Sequence, residues 1–200
     1  MGKLRIAVIG TGNIARQHVE AILACGQELA GVCNHNIEKA MLFLSSFSGR
    51  EGVAPAVLEE TVFDSVPAML DTVKPDLVYI TTPHKTHVDN AFHAVQRGIH
   101  CIIEKPIDIS LAKAAYLKEE SERSGALVSV ISQSRFFRPC ERIRNAIEDG
   151  RIVPAFGIVN VQAWRDEAYY RSNEWRGTWA EEGGGVLVNQ AVHELDLLSY

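Results

Sequence analysis

Short apolar runs alternate regularly with amphipathic segments along residues 3–132. The apolar runs are nearly continuous and lie at 3–10, 28–34, 75–83, 99–106 and 126–132. Apolar residues recur at helical spacing in the segments between them, at 13–25, 37–47, 65–73, 86–98 and 111–125. Strands that are apolar on both faces and are separated by helices predict a parallel sheet covered on both sides. We therefore predict an α/β fold with a doubly wound Rossmann sheet.

The pattern changes after about residue 133. Residues 140–150 have helical spacing, and the run FGIVNVQAW at 156–164 alternates as a strand of a different sheet would. We predict a dinucleotide-binding Rossmann domain over 1–134 and the beginning of an α+β domain over 135–200. The chain stops at Tyr200 inside the pattern of an amphipathic helix, so we expect it to be truncated at its C-terminus.

The composition excludes several classes of protein. The chain has 200 residues, of which 46% are hydrophobic and 22% charged, and its formal net charge is −5. It has no run of Lys and Arg, so we predict no binding to nucleic acid or to a membrane surface. No apolar stretch reaches the roughly 18 residues that span a bilayer. Four cysteines without C-x-x-C spacing, together with the lack of a signal peptide, predict a cytoplasmic protein with reduced thiols. No metal site is predicted.

A glycine-rich turn joins the first predicted strand to the first predicted helix. Its residues follow the G-x-G-x-x-A pattern and are Gly10, Thr11, Gly12, Asn13, Ile14 and Ala15. In a dinucleotide-binding fold, Gly10 permits the tight turn, Gly12 lets a pyrophosphate approach the backbone, and Ala15 allows close packing of helix on strand. The free N–H groups of the helix then face the phosphates. The alternative is a glycine turn in a flavodoxin-like fold that binds no dinucleotide.

The residue that would meet the adenosine ribose is neutral. Dinucleotide folds usually place Asp or Glu at the end of the second strand, whereas this chain has Asn34 there. An amide can hydrogen-bond a ribose hydroxyl and does not repel the 2′-phosphate of NADP. No Arg stands beside it to attract that phosphate. We predict NAD or NADP as the cofactor, with NAD slightly favoured.

A charged pair ends the fourth predicted strand, where Glu104 and Lys105 follow the apolar run. The carboxyl ends of parallel strands form the edge at which ligands bind in open α/β folds. Lys105 could there hydrogen-bond a substrate oxygen beside the nicotinamide, with Glu104 pairing or positioning it. We include both residues in the predicted cofactor site. The alternative is a surface salt bridge at the end of a strand.

The stretch WRDEAYYRSNEWRGTW at 164–179 is rich in Trp, Tyr and Arg. Aromatic faces and guanidinium groups suit the recognition of sugars and phosphates. We predict that the substrate contacts include Arg165, Tyr170, Trp175 and Arg176. The same residue types are also typical of subunit interfaces and structural loops, and both alternatives stay open.

Three further motifs follow the glycine turn in order. They are TTPHKTH at 81–87, EKP at 104–106 and WRGTWAEEGGGVLVNQAVHELDLL at 175–198. With these motifs the chain resembles the Gfo/Idh/MocA family of NAD(P)-dependent oxidoreductases. The resemblance implies a second domain with an open-faced, largely antiparallel sheet, and a homo-oligomer, a dimer or tetramer, when the protein is full length.

The resemblance also implies roles for matching positions. Thr81, Pro83 and His87 would contact the cofactor, Lys105 would bind the reacting oxygen, and His193 would act as general acid and base. Imidazole exchanges protons near neutral pH, which suits that role. The alternative for His193 is a core-facing histidine that bonds a backbone carbonyl.

One position departs from the family pattern. Many members have Asp four residues before the histidine, and this chain has Asn189. On a continuous helix, Asn189, His193 and Asp196 would share one face, so Asp196 could orient His193. We include Lys105, Asn189 and His193 among the substrate-binding residues.

The sequence thus predicts an oxidoreductase that transfers a hydride between a nicotinamide cofactor and a secondary alcohol or ketone of a sugar, inositol or sugar nucleotide. Lys105 and His193 would converge on one substrate oxygen. The alternative is a non-catalytic, cofactor-binding regulator with the same fold. We expect the 200-residue chain to be inactive by itself if the remainder of the second domain is needed for turnover.

Overall fold

The computed structural model describes residues 2–200. The chain divides into two compact units, Met1–Val130 and Ile131–Tyr200. The domain limits of 1–134 and 135–200 that the sequence indicated stay predictions about the whole protein.

A parallel sheet of six strands forms the centre of the first unit in the described residues. The strands are β1 (Arg5–Ile9), β2 (Glu28–Cys33), β3 (Val62–Phe63), β4 (Leu77–Ile80), β5 (His100–Ile103) and β6 (Val128–Val130). Their order is β3-β2-β1-β4-β5-β6, and each neighbouring pair is parallel. The sheet therefore grows outward from β1 on one side and from β4 on the other, which confirms the predicted doubly wound Rossmann fold.

Five α-helices connect these strands. They are α1 (Asn13–Ala24), α2 (Ile37–Ser45), α3 (Val66–Val73), α4 (His87–Val95) and α5 (Leu111–Ser124). The side chain of Asn36 accepts a hydrogen bond from Lys39 N–H at the start of α2, and Ser65 and Ser110 cap α3 and α5 in the same way. These caps satisfy N–H groups that have no partner within the helix.

Successive side chains of β1 enter two separate cores. Ile6 and Val8 pack with residues of α1 and α2, whereas Ala7 and Ile9 pack with residues of α3, α4 and α5. This division follows from the two-residue period of a strand. The sheet is buried on both faces, so a ligand can reach it at its carboxyl edge.

The second unit is helical in the part of the chain that the structure describes. After a short 3-10 helix at Gln133–Phe136, it contains α6 (Arg138–Glu148), α7 (Glu167–Arg171), α8 (Val186–Asn189) and α9 (Val192–Ser199). The predicted strand over 156–164 is wrong, because residues 131–200 contain no strand. A strand needs a neighbouring ladder of hydrogen bonds, and none of the described residues provides one here. Phe156 and Ile158 are 82% and 79% exposed.

No helix within residues 2–200 is both long enough and apolar enough to cross a membrane.

The contrast between Leu44 and Leu42 in α2 tests the packing of the first unit. Leu44 is 0% exposed and Leu42 is 71% exposed. We expect Leu44→Ala to lower the free energy of unfolding by about 2–5 kcal/mol, since it leaves a cavity in the core. Leu42→Ala should change it by no more than about 0.5 kcal/mol. Guanidinium unfolding curves of the two variants would measure this, and equal losses would contradict the assignment of faces.

Candidate cofactor and catalytic site

Gly10 ends β1 at a point where the backbone leaves room for no side chain. Its φ is +96°, and an added Cβ would lie 2.8 Å from the carbonyl carbon and oxygen of Thr81. Its N–H donates to the carbonyl oxygen of Cys33 at 2.8 Å. Gly10 is therefore required by the fold itself, because both the φ value and the close approach exclude larger residues.

Gly12 stands at the N-cap of α1 for a different reason. Its φ is −72°, which any residue adopts, and an added Cβ would meet no atom of the described residues within 4 Å. No side chain in the described chain caps α1. The N–H groups of Asn13 and Ile14 are thus open to an anion, whereas that of Ala15 donates to the carbonyl oxygen of Gly12 at 3.1 Å. The fold does not require glycine here, whereas a close-approaching pyrophosphate would, so the turn fits the dinucleotide that the sequence predicts.

The other residues of the turn divide between the core and the surface. Ala15 is 0% exposed and packs in the core beside Val8, in the role predicted for close packing of helix on strand. Asn13 and Ile14 are exposed at the start of α1. Their contacts with a cofactor stay predictions.

Asn34 ties the end of β2 to the glycine-rich turn. Its Nδ2 donates to Oγ1 of Thr11 at 2.6 Å, and its Oδ1 accepts from the N–H of Asn36 at 2.9 Å. These two bonds fix the orientation of the amide. A neutral donor therefore stands at the position where many dinucleotide folds present a carboxylate.

Thr81 closes the end of β4 onto the same turn. Its hydroxyl lies 3.1 Å from the carbonyl oxygens of Ile9 and Gly10, and it is 8% exposed. Pro83, two residues later, is exposed. Thr81 therefore lies beside the glycine turn, and the contact of either residue with a cofactor stays a prediction.

His87 occupies a different position from the one that the resemblance implied. It is 0% exposed, with Nδ1 2.7 Å from the carbonyl oxygen of Pro106 and Nε2 2.6 Å from that of Thr82. Burial lowers the pKa of His87, and this outweighs the opposite effect of the two carbonyls, Glu104 and Asp108. A side chain with no exposed surface cannot touch a ligand in this conformation. His87 instead joins the loops that follow β4 and β5.

Glu104 forms a partly buried pair that the sequence analysis did not identify. Its Oε1 lies 2.7 Å from Nε2 of His18 in α1, and the two side chains are 11% and 12% exposed. Its Oε2 accepts from the N–H of Lys105 at 3.1 Å. Burial raises the pKa of Glu104, but the hydrogen bond from His18, the charge of His18 and then those of Lys105 hold it below its usual value. Glu104 is therefore not part of a surface salt bridge.

His18 could have been found from the sequence. It falls at an apolar position of the helical pattern at 13–25, where a polar residue must have a partner. Such a position indicates that a partner exists, although not which residue it is.

In the second unit, His193 lies in α9 and is partly buried. Its Nε2 is 3.4 Å from Nε2 of Gln133. Asp196, which the sequence offered as the group that orients His193, binds Arg135 through both oxygens, at 2.6 and 2.7 Å. The hydrogen bond from Arg135 lowers the pKa of Asp196, and the charge of His193 acts in the same direction. Arg135 was not identified from the sequence.

The helix predicted to carry both Asn189 and His193 is interrupted. α8 ends at Asn189 and α9 begins at Val192, and the N–H of Ala191 donates to the carbonyl of Val186 at 2.8 Å. The expectation that Asn189 shares one helix face with His193 is therefore wrong. A run of apolar residues at helical spacing does not reveal a local turn of this kind.

Asn189 contributes to a cluster around Tyr169. Its Nδ2 donates to Oη of Tyr169 at 2.9 Å and to Oε1 of Glu182 at 2.7 Å. Nη1 of Arg176 also donates to Oη of Tyr169, at 2.7 Å. Glu182 is 1% exposed. Neither Tyr169 nor Glu182 was identified from the sequence.

The remaining predicted substrate residues surround the same tyrosine. The Arg165 guanidinium lies 5.2 Å from the centre of the Tyr169 ring, and the Tyr170 ring contacts the Tyr169 ring edge to face at 5.3 Å. Trp175 is partly buried and lies 4.8 Å from the Arg176 guanidinium. The structure thus gathers Arg165, Tyr170, Trp175, Arg176 and Asn189 within one part of the second unit.

The family model for Gfo/Idh/MocA proteins, an oxidoreductase family with an NAD-binding Rossmann fold, matches residues 4–132. The chain belongs to this family. The resemblance drawn from the sequence motifs is therefore confirmed.

Two relatives of this Gfo/Idh/MocA chain are dehydrogenases named for sugar substrates. The D-glucoside 3-dehydrogenase of Escherichia coli (strain K12) is 26% identical over 203 residues, covering 98% of this chain and 53% of that protein. The UDP-N-acetylglucosamine 3-dehydrogenase of Acidithiobacillus ferrooxidans is 38% identical over 111 residues, covering 56% of this chain and 31% of that protein. The chain spans about half the length of the first of these relatives and less of the second.

One solved structure is similar along the whole chain. It is that of the WlbA dehydrogenase from Bordetella pertussis in complex with NADH and UDP-GlcNAcA, with a TM-score of 0.83 and 30% identity, covering 100% of this chain and 59% of that chain.

Among the residues that the structure describes, no group of three or more His, Cys, Asp or Glu side chains could hold a metal ion.

Two glycine substitutions separate ligand binding from folding. We expect Gly12→Val to abolish NAD binding, because its side chain would fill the space where phosphates approach α1, while the unfolding temperature stays near that of the wild type. Gly10→Ala should instead destabilise the protein by at least about 1–2 kcal/mol, the cost of a left-handed backbone for a non-glycine residue. Calorimetry and thermal unfolding would measure the two effects. Unchanged NAD affinity in Gly12→Val would exclude this turn as the pyrophosphate site.

Proposed function

We propose that this Gfo/Idh/MocA protein catalyses reversible hydride transfer between NAD or NADP and a secondary alcohol of a sugar, inositol or sugar nucleotide. The observation that carries the proposal is the open N-terminus of α1 at Gly12. It lies at the carboxyl edge of the parallel sheet, and Lys105 follows the end of β5 at that same edge. Family membership supports the same conclusion. Because the chain spans only part of its relatives, the activity belongs to the complete protein.

The cofactor would be held by the first unit. The N–H groups after Gly12 would bind the pyrophosphate, and Asn34 would face the adenosine ribose. When bound, the nicotinamide supplies or accepts the hydride. The NADH of the Bordetella pertussis structure supports NAD here.

The substrate class is proposed from two lines of support. The relatives named above act on a glucoside and on UDP-N-acetylglucosamine, and the WlbA structure holds UDP-GlcNAcA. In this chain, the cluster around Tyr169 combines aromatic rings with guanidinium and amide donors. Such groups can stack on the apolar face of a sugar and bind its hydroxyls.

Two residues would transfer the hydroxyl proton of the substrate and stabilise the charge on its reacting oxygen. Lys105 would hold the reacting oxygen and oppose the negative charge that develops on it. His193 would take the hydroxyl proton during oxidation and return it during reduction. Gln133, 3.4 Å from Nε2 of His193, would help to fix the imidazole ring.

A spectrophotometric screen of the complete protein tests the proposal. NAD and NADP would each be supplied with sugars, inositols and sugar nucleotides, and NADH or NADPH formation would be followed by absorbance. Turnover of at least one sugar-like alcohol is expected. Tight cofactor binding without turnover of any of them would favour the non-catalytic regulator.

Replacing either proposed catalytic residue should separate turnover from cofactor binding. We expect Lys105→Ala and His193→Ala each to lower kcat by on the order of a hundredfold or more, with little change in NAD affinity. Lys118→Ala is the control, since its side chain is 74% exposed and pairs with Glu122. Steady-state rates and NAD titrations would check this, and near-normal turnover in either catalytic variant would remove that residue from the mechanism.

The neutral amide of Asn34 predicts weak discrimination between NAD and NADP. Asn34→Asp should shift the preference toward NAD by about tenfold or more, or 1.4 kcal/mol, because a carboxylate repels the 2′-phosphate. The hydroxyl of Thr11 can donate to the new carboxylate, so the contact with the turn is kept. Dissociation constants for both cofactors would measure the shift. A wild-type preference for NAD of about a thousandfold would show that Asn34 does not have this effect.

A further inference from the structure

The pair formed by His18 and Glu104 lies between the two parts of the first unit that the proposed function uses. His18 is in α1, whose N-terminus follows the glycine turn, and Glu104 directly precedes Lys105. The two side chains are 12% and 11% exposed and lie 2.7 Å apart. A carboxylate that is mostly shielded from water needs hydrogen-bond donors, because leaving it without them costs free energy.

Glu104 acts on the backbone from which Lys105 emerges. Its own N–H donates to the carbonyl of Ile80 at 2.9 Å, which continues the hydrogen-bond ladder between β4 and β5. Its Oε2 accepts from the N–H of Lys105 at 3.1 Å. One carboxylate therefore receives a hydrogen bond from α1 through Oε1 and from the Lys105 peptide through Oε2.

The His18 ring is held from a second side. The ring of Tyr79 in β4 lies 5.0 Å from it, tilted by 44°. Contact with Tyr79 and the bond to Glu104 leave the imidazole little freedom to turn. His18 is therefore ordered by its surroundings and can impose its position on Glu104.

The charges suggest what this order achieves. Burial raises the pKa of Glu104, but hydrogen bonds from His18 and from the Lys105 N–H hold it below its usual value; these two bonds are 2.7 and 3.1 Å long. If His18 were removed, the Glu104 carboxylate would lose a hydrogen-bond donor at a site that is only 11% exposed, and the ammonium of the adjacent Lys105 could supply the missing hydrogen bond. The ammonium group would then be drawn toward Glu104 and away from a substrate oxygen.

We propose that His18 is a positioning residue. By hydrogen-bonding the Glu104 carboxylate, it prevents that carboxylate from pairing with the Lys105 ammonium. Lys105 then stays in place for the substrate, next to the cofactor-binding helix α1. This inference rests on the proposed function, because it assigns His18 a role through Lys105. His18 itself is not a catalytic residue.

Kinetics of three variants of the complete protein test the role. We expect His18→Ala to lower kcat by on the order of tenfold to a hundredfold, the usual effect of a misplaced catalytic group, while NAD affinity and substrate KM change little. His18→Gln should recover most of kcat, since the Gln amide offers an N–H near the position of Nε2. His100→Gln is the control, because His100 is an exposed histidine at the opposite end of β5, and the Gln side chain can still accept a hydrogen bond from the N–H of Leu127, as His100 does at 3.1 Å.

A second measurement needs no turnover. Reductive methylation with 13C-formaldehyde labels the lysines, and Lys105→Arg identifies the Lys105 signal in the NMR spectrum. In His18→Ala the Lys105 signal should titrate at higher pH than in the wild type, because pairing with a carboxylate favours the ammonium form. His18→Gln should stay nearer to the wild type. Glu104→Gln keeps an acceptor but removes the charge, so there the Lys105 signal should titrate at lower pH.

The outcomes distinguish this inference from the proposed function. Wild-type kcat in His18→Ala, an unshifted Lys105 titration in both His18→Ala and Glu104→Gln, or a folded His18→Gln as slow as His18→Ala would each overturn the role of His18. If His18→Ala does not fold, the titration in Glu104→Gln and the rate of His18→Gln decide the question. A wild-type protein that turns over no sugar-like alcohol would instead refute the proposed function, and the Lys105 titration would still test the coupling of His18 to Lys105.

Discussion

Burial of the parallel sheet on both faces is the constraint on which the first unit depends. β1 sends alternate side chains into two cores, one shared with α1 and α2 and the other with α3, α4 and α5. With both faces covered, polar chemistry is confined to the ends of the strands. The glycine turn, Asn34, Thr81 and Glu104 all stand at or just beyond the carboxyl ends of strands β1, β2, β4 and β5.

The fold of this unit could be predicted because each element has its own local signal. Strand, glycine turn and helix follow one another with the spacing that a dinucleotide-binding unit requires. β3 was missed because two residues, Val62 and Phe63, are too few to establish a period. The strand predicted at 156–164 was wrong for the opposite reason, since alternation was present but a partner strand was not among the described residues. Strand formation depends on the neighbour as well as on the sequence.

The candidate site was predictable only in part, for a related reason. The glycine turn is a local motif, and its role followed from the order of elements around it. The contacts of His18 with Glu104, of Arg135 with Asp196, and of Glu182 with Asn189 bring together residues from separate elements or loops, and a single sequence does not state such pairs. His87 illustrates the same limit. Its motif was recognised, but only the structure places the ring between the carbonyls of Thr82 and Pro106.

The hydrogen bonds received by the Tyr169 hydroxyl determine where its own hydrogen can point. A phenol oxygen has two lone pairs and one hydrogen. Arg176 and Asn189 both donate to this oxygen, so both lone pairs are occupied. The O–H hydrogen must then point away from both donors, and the hydroxyl can serve only as a donor toward a third group. Toward any further partner, the Tyr169 hydroxyl therefore acts as a hydrogen-bond donor. It favours a partner with an acceptor oxygen over one that offers an N–H or O–H group.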